Sequence, residues 1–174
     1  YIGGQTAIQL KAQGFTVVGV DIRPLPNHLM PYVDLFILEN INTVGEKLSN
    51  TDAIVHCAGT SLVGPSVMYP ADYYYNNPGN TAKFIKDLVA AGWKGHFVFS
   101  SSAATYGEQF EHVLLTENSP QFPLSAYGSS KLMCENIIRD SSKAYGFNAT
   151  VLRYFNASGA DPQCQHGAEP RGTH

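Results

Sequence analysis

The chain has 174 residues, enough for one domain or most of one. With 44% hydrophobic and only 14% charged residues it has material for a packed core, is not a disordered chain, and needs something to cover part of its surface. A net charge of −3 without any basic run excludes a nucleic-acid binder held by phosphate contacts.

In chain order, residues 1–13 predict a helix, with Gly3, Ala7 and Leu10 on one stripe and Gly14 as its stop. Residues 15–20 (FTVVGV) predict a buried parallel strand that ends at Asp21. Three prolines make 23–32 a loop, 35–38 is a short strand, and 43–48 has room for one or two helical turns. A buried strand at 53–56 (AIVH) runs into Cys57-Ala58-Gly59, and 59–70 reads as a loop. Residues 71–91 are mostly helical, with a kink expected at Pro78-Gly79 because an interior proline removes a backbone donor. Then come a strand at 96–100, a long loop over 101–125, a long helix over 126–145 and a strand at 148–153. Strands alternating with helices imply a doubly wound parallel sheet of Rossmann-like type, with ligands at the carboxyl ends of the strands.

The start at Tyr1 without a leading strand, and the polar Pro/Gly-rich stretch 161–174, are expected of a fold truncated at both ends. No apolar stretch approaches the roughly 18 residues of a membrane helix, and none has the order of a signal peptide. Cys57, Cys134 and Cys164 are an odd set without metal-ligand spacing, so a reducing, cytoplasmic compartment is expected. His56, His96 and His112 match no metal spacing either, and no metal is expected.

Several short patterns carry chemistry. Gly3, at the start of a helix, and Asp21, after the following strand, are placed like the last glycine and the ribose-binding acid of a dinucleotide site; an acid there favours NAD over NADP. Small residues at Ala58 and Gly59 let a cofactor lie against bare backbone. Ser100-Ser101-Ser102 closes one strand, and Tyr127-x-x-x-Lys131 opens the long helix, with both side chains on one face. A free tyrosine has a pKa near 10, so a general base near neutrality needs a depression of about three units, and a lysine ammonium one turn away has the right sign. Ser102 can relay a proton, since a hydroxyl both donates and accepts. Each of these patterns also has an ordinary structural reading: a strand-end acid, a tight turn, a capping serine, a surface Tyr–Lys pair.

Their joint order resembles the extended short-chain dehydrogenase/reductase family. The matching stretches are Tyr1-Ile2-Gly3, Val20-Asp21, 56–59 (HCAG), Tyr73-Tyr74 with Asn76-Asn77, 99–107 (FSSSAATYG), 125–135 (SAYGSSKLMCE) and 152–162 (LRYFNASGADP). The last segment, with the Gly-x-Glu-Pro and Thr-His signature at 167–174, is similar to the family's nucleotide-sugar 4-epimerase branch. That resemblance implies one NAD-binding domain over 1–174, without its first strand and its C-terminal substrate domain. It implies Tyr127 as acid/base, Lys131 as holder of the nicotinamide ribose and Ser102 as partner of the reacting sugar hydroxyl. It also implies Gly3, Asp21, Ala58, Gly59, Asn76, Tyr127, Lys131, Tyr154 and Phe155 around NAD. Ser102, Tyr127 and Asn156 would face the substrate, and the family is often dimeric through the helices carrying Asn76 and Tyr127.

The implied activity is interconversion of UDP-glucose and UDP-galactose through a 4-keto intermediate with tightly bound NAD. Uronate or pentose nucleotide sugars, a decarboxylase, or a non-catalytic dinucleotide sensor are the alternatives. Sister dehydratases carry Thr-Asp-Glu where this chain has Ser102-Ala103-Ala104, which cannot donate the proton for water elimination. Two departures stand out: a family lysine in the cofactor loop is Ser61, and the usual Val-x-Gly-Thr after the paired asparagines is Pro78-Gly79-Asn80-Thr81. The 174-residue chain alone is expected to be inactive.

Overall fold

The computed structural model describes residues 1–108, 114–164 and 166–167. His112 and the signature residues from 168 onward lie outside them. Helix α1 (Ile2–Ala12) leads through a turn at Gly14 (φ +85°) to strand β1 (Val18–Asp21), which pairs in parallel with β2 (Leu35–Leu38). Strands β3 (Ala53–His56), β4 (His96–Ser102) and β5 (Asn148–Tyr154) form a second parallel sheet in the order β3-β4-β5. In each sheet the carboxyl ends lie on one edge. Asp21 is opposite Leu38 in the first sheet, and Ser102 is opposite Tyr154 in the second. The parallel Rossmann-like architecture is as expected, but the strands fall into sheets of two and three. Among the described residues no strand pairs with the outer edges of β1 and β3.

Short helices α2 (Val63–Met68) and α3 (Pro70–Tyr74) precede a π turn (Tyr75–Gly79) and helix α4 (Asn80–Ala90). The kink expected at Pro78 is this π turn: a residue without an N–H is accommodated by widening the helix for one turn. The stretch 59–70, read as loop, contains α2. Proline is tolerated in a first helical turn, as at Pro65, and the Ser66 hydroxyl donates to the Val63 carbonyl at 2.6 Å. The first strand begins three residues later than predicted and takes in Asp21. Strand β4 runs two residues further than predicted, through Ser102, and a 3-10 turn (Ala103–Thr105) follows. Further 3-10 turns occupy Asn27–Tyr32, Ile41–Thr43 and Glu46–Leu48.

Helix α5 (Ala126–Tyr145) is bounded as its sequence dictates. Ser125 accepts from the Gly128 N–H at 3.1 Å, and Gly146 closes it in the left-handed region at φ +79°. α4 and α5 cover the three-stranded sheet around a core of Phe84, Ile85, Leu88, Trp93, Phe97, Phe99, Cys134, Ile138 and Phe147. Phe97, Leu88 and Ile138 are completely buried. The core leaves the carboxyl end of β4 and the start of α5 facing each other.

Candidate active site

Helix α5 presents Tyr127, Lys131 and Glu135 one turn apart on a single buried face. The Lys131 Nζ donates to the Ser100 carbonyl at 2.9 Å and stands 4.9 Å from the centre of the Phe99 ring and 6.0 Å from that of Tyr127. Burial pushes its pKa down, and the neighbouring Cys134, Cys57 and Glu135 act in the opposite direction. Tyr127 is buried beside Tyr73, whose ring meets it edge-on at 6.4 Å between centroids. The Tyr73 hydroxyl donates to the Leu62 carbonyl at 2.5 Å; burial, then Tyr127, raises its pKa.

Ser102 ends β4 and caps the 3-10 turn, its Oγ accepting from the Ala104 N–H at 3.2 Å. A Cβ on Gly128 would lie 2.5 Å from the Ala104 carbonyl oxygen. The residue after Tyr127 therefore sits directly on the turn that Ser102 opens, and only glycine permits so close an approach. The three residues read from the sequence as chemical are thus gathered where β4 meets α5.

The loop after β3 is built into the same place. Gly59 has φ +146°, and a Cβ there would lie 2.7 Å from the Asn77 Oδ1 and 3.9 Å from the Lys131 Nζ. Asn77, buried on the π turn, accepts from the Thr60 N–H at 2.8 Å and donates to the Thr60 carbonyl at 3.0 Å and the Ser130 hydroxyl at 2.9 Å. It clamps the glycine loop to α5. Asn76, the residue singled out from sequence, is half-buried on the same turn. Asn77 was legible only as its neighbour; its role depends on contacts from two distant segments.

Gly3 packs against the end of β3, where a Cβ would lie 3.6 Å from that of Cys57. Helix α1 opens with no acidic side chain in its first turn and no capping side chain, so its N–H groups suit a pyrophosphate. Asp21 is exposed at the end of β1; one carboxylate oxygen accepts from the Arg23 N–H at 2.9 Å, and the Arg23 Nε is 3.7 Å away. Helix start, exposed Ala58, bare Gly59 and carboxylate together fit a dinucleotide. Tyr154 is half-buried beside Ser102 in the sheet register, and Phe155 and Asn156 are exposed just beyond β5. Among the described residues Asp21, Phe155 and Asn156 make no hydrogen bond to Ser102, Tyr127 or Lys131.

His56 is a core residue. Its Nε2 is 2.9 Å from the Thr81 Oγ1, Phe84, Phe97 and Phe99 surround it, and burial with Lys131 nearby lowers its pKa to about 3.

Comparison with known proteins decides the family: the profile of the NAD dependent epimerase/dehydratase family matches residues 1–172. The chain belongs to that family. Among relatives of this NAD-dependent family, a UDP-glucose 4-epimerase of Azospirillum brasilense is 44% identical over 124 residues, which cover 71% of this chain and 35% of that protein. UDP-arabinose 4-epimerase 1 of Arabidopsis thaliana is 34% identical and is matched by 98% of this chain over 44% of its own length. The crystal structure of a Brucella ovis UDP-glucose 4-epimerase in complex with NAD superposes with a TM-score of 0.84 at 34% identity, covering 92% of this chain and 50% of that one. The chain spans about half, or less, of the length of these relatives.

Proposed function

We propose that residues 1–174 form the NAD-binding, catalytic domain of a nucleotide-sugar 4-epimerase acting on UDP-linked sugars. The observation that carries this reading is the convergence of Ser102, Tyr127 and Lys131 where β4 meets α5, beside the Gly59 loop. Bound NAD would supply a reversible hydride acceptor for the sugar carbon. Gly3 and the α1 N–H groups would hold its pyrophosphate, Asp21 the adenine ribose, and Ala58, Gly59 and Asn76 the path between. Lys131 would hold the nicotinamide ribose, with Tyr154 and Phe155 flanking the nicotinamide. Tyr127 takes the proton from the sugar 4-hydroxyl, and Ser102 hydrogen-bonds that hydroxyl and orients it. The Lys131 ammonium favours the phenolate by its charge. After the 4-keto sugar has turned over, Tyr127 returns the proton to the 4-oxygen; the hydride that bound NAD would give back to the opposite face of the carbon would complete the inversion, with Asn156 steadying the nucleotide sugar.

UDP-glucose and UDP-galactose are the first substrates in this reading. UDP-arabinose is the second, supported by the Arabidopsis relative. Exposed Val67, Met68 and Tyr69 at the end of α2, and Tyr75 on the turn that carries Asn76, supply apolar surface next to the helices carrying Asn76 and Tyr127, through which a homodimer would form. Among the described residues no helix is long and apolar enough to cross a membrane. Cys57, Cys134 and Cys164 are free thiols, the form a reducing cytoplasm maintains, and the cytoplasm is the compartment in this reading.

The test uses the longest reading frame that carries this chain, purified without added NAD. UDP-galactose, UDP-glucuronate and UDP-arabinose are offered in parallel, with Tyr127→Phe as control. Epimerisation of one of them, lost by at least about a hundredfold in the variant, is the expected result. Full turnover in Tyr127→Phe, or no NAD in the purified protein, would overturn it.

A further inference from the structure

Below Tyr127 and Lys131, the same face of α5 carries Glu135, buried and central to a network that the proposed chemistry does not use. Its carboxylate accepts from the Ser101 hydroxyl, from Gln121 Nε2 at 3.2 Å, and from Arg153 through Nε at 3.1 and 3.2 Å and NH2 at 2.8 Å. Arg153 in turn donates to the Tyr106 hydroxyl at 2.8 Å and the Glu117 carbonyl at 3.0 Å. A buried ion pair is by itself weak evidence of stabilisation, because desolvation offsets most of its attraction. The direction of this one is informative. Lys131 grips the Ser100 carbonyl and Glu135 grips the Ser101 hydroxyl, so two successive turns of the helix carrying Tyr127 hold two successive residues of the strand that ends at Ser102.

We propose that Glu135, acting through Ser101 and held in place by Arg153, is a positioning residue that fixes Ser102 relative to Tyr127. The inference rests on the epimerase reading above. A chain that needed only a buried ion pair could have any small residue at position 101; here a hydroxyl ties the carboxylate to the strand end. Ser101→Ala cuts that tie while leaving Glu135 paired with Arg153 and Gln121, so it is the cleanest probe.

In the full-length protein, kcat of Ser101→Ala should fall about tenfold or more with KM for the UDP-sugar within about twofold, since a small misplacement of a reacting group costs rate rather than binding. Bound NAD per folded molecule should not change, and Ser101→Thr, which keeps the hydroxyl, should recover most of kcat. Glu135→Gln should lower kcat in the same direction when corrected for the folded fraction read by circular dichroism. An unchanged kcat in Ser101→Ala, or losses that only follow the unfolded fraction, would overturn the proposal. Tyr127→Phe in the same series separates the two failures. If that variant keeps turnover, the reading of the site falls and this inference with it; if it is dead, the Ser101 result judges the inference alone.

Discussion

The three-stranded half of the molecule and the two-stranded half are built to different standards. Around β3, β4 and β5 the interior is aromatic and closed: Phe97 meets Trp93, Phe84 and Phe147 with ring centroids 6.2 Å apart. Around β1 and β2, Leu35 and Leu38 are more than half exposed, as is Ile22 just past Asp21. The chemical residues all lie on the closed half, and the acid proposed for the ribose lies on the open one. A reacting group must be held to within fractions of an ångström, whereas a carboxylate at a ribose works through a longer, more forgiving hydrogen bond. The low charge content of the chain has its counterpart in the exposed apolar side chains of the open half and of the α2–α3 region.

The contrast can be broken most sharply at its centre. Phe97→Ala removes a completely buried ring and should destabilise the fold by about 3–5 kcal/mol in urea titration. Arg153→Met leaves the Glu135 carboxylate buried with neutral donors only, and should cost about 3 kcal/mol in the same assay. A loss below about 1 kcal/mol would show that the network is dispensable to stability.

His56 gives the closed half a pH signature. Its folded pKa, lowered to about 3, lies below the ordinary 6.5, so the unfolded chain binds the proton first. Stability is therefore full above about pH 6.5 and falls as pH drops toward 3, by up to about 1.4 kcal/mol per unit. His56→Phe should flatten that part of the stability–pH curve; an unaltered slope would mean that other groups carry it. On the open half, Leu35→Ala should cost no more than about 0.5 kcal/mol, because the side chain already faces solvent. A cost comparable to that of Phe97→Ala would erase the distinction between the halves.

Much of this was legible in the sequence because it is local. Short apolar runs ending in small or acidic residues marked the strands, and the long helix was read to the residue as 126–145, where the structure shows Ser125 and Gly146 capping it. Tyr127 and Lys131 were visible as a pair because helical periodicity alone puts residues four apart on one face. Helix α2 was hidden because Gly64 and Pro65 read as breakers, although proline is acceptable in a first turn. Asn77, Glu135 and Arg153 were hidden for a different reason. Nothing in the neighbourhood of any one of them announces a partner 17, 18 or 53 positions away.

The sequence by itself determined the alternation of strands and helices, the caps, and the residue types able to do proton chemistry, since these follow from backbone geometry and side-chain pKa within a few residues. Only the tertiary structure decided that Gly128, next to Tyr127, packs against Ala104 in the turn that Ser102 opens, and that Asn77 clamps the Gly59 loop to α5. It also decided that Glu135 and Arg153 lock the strand to the helix. Those facts depend on long-range packing, where a Cβ too many or a partner too few changes which groups touch.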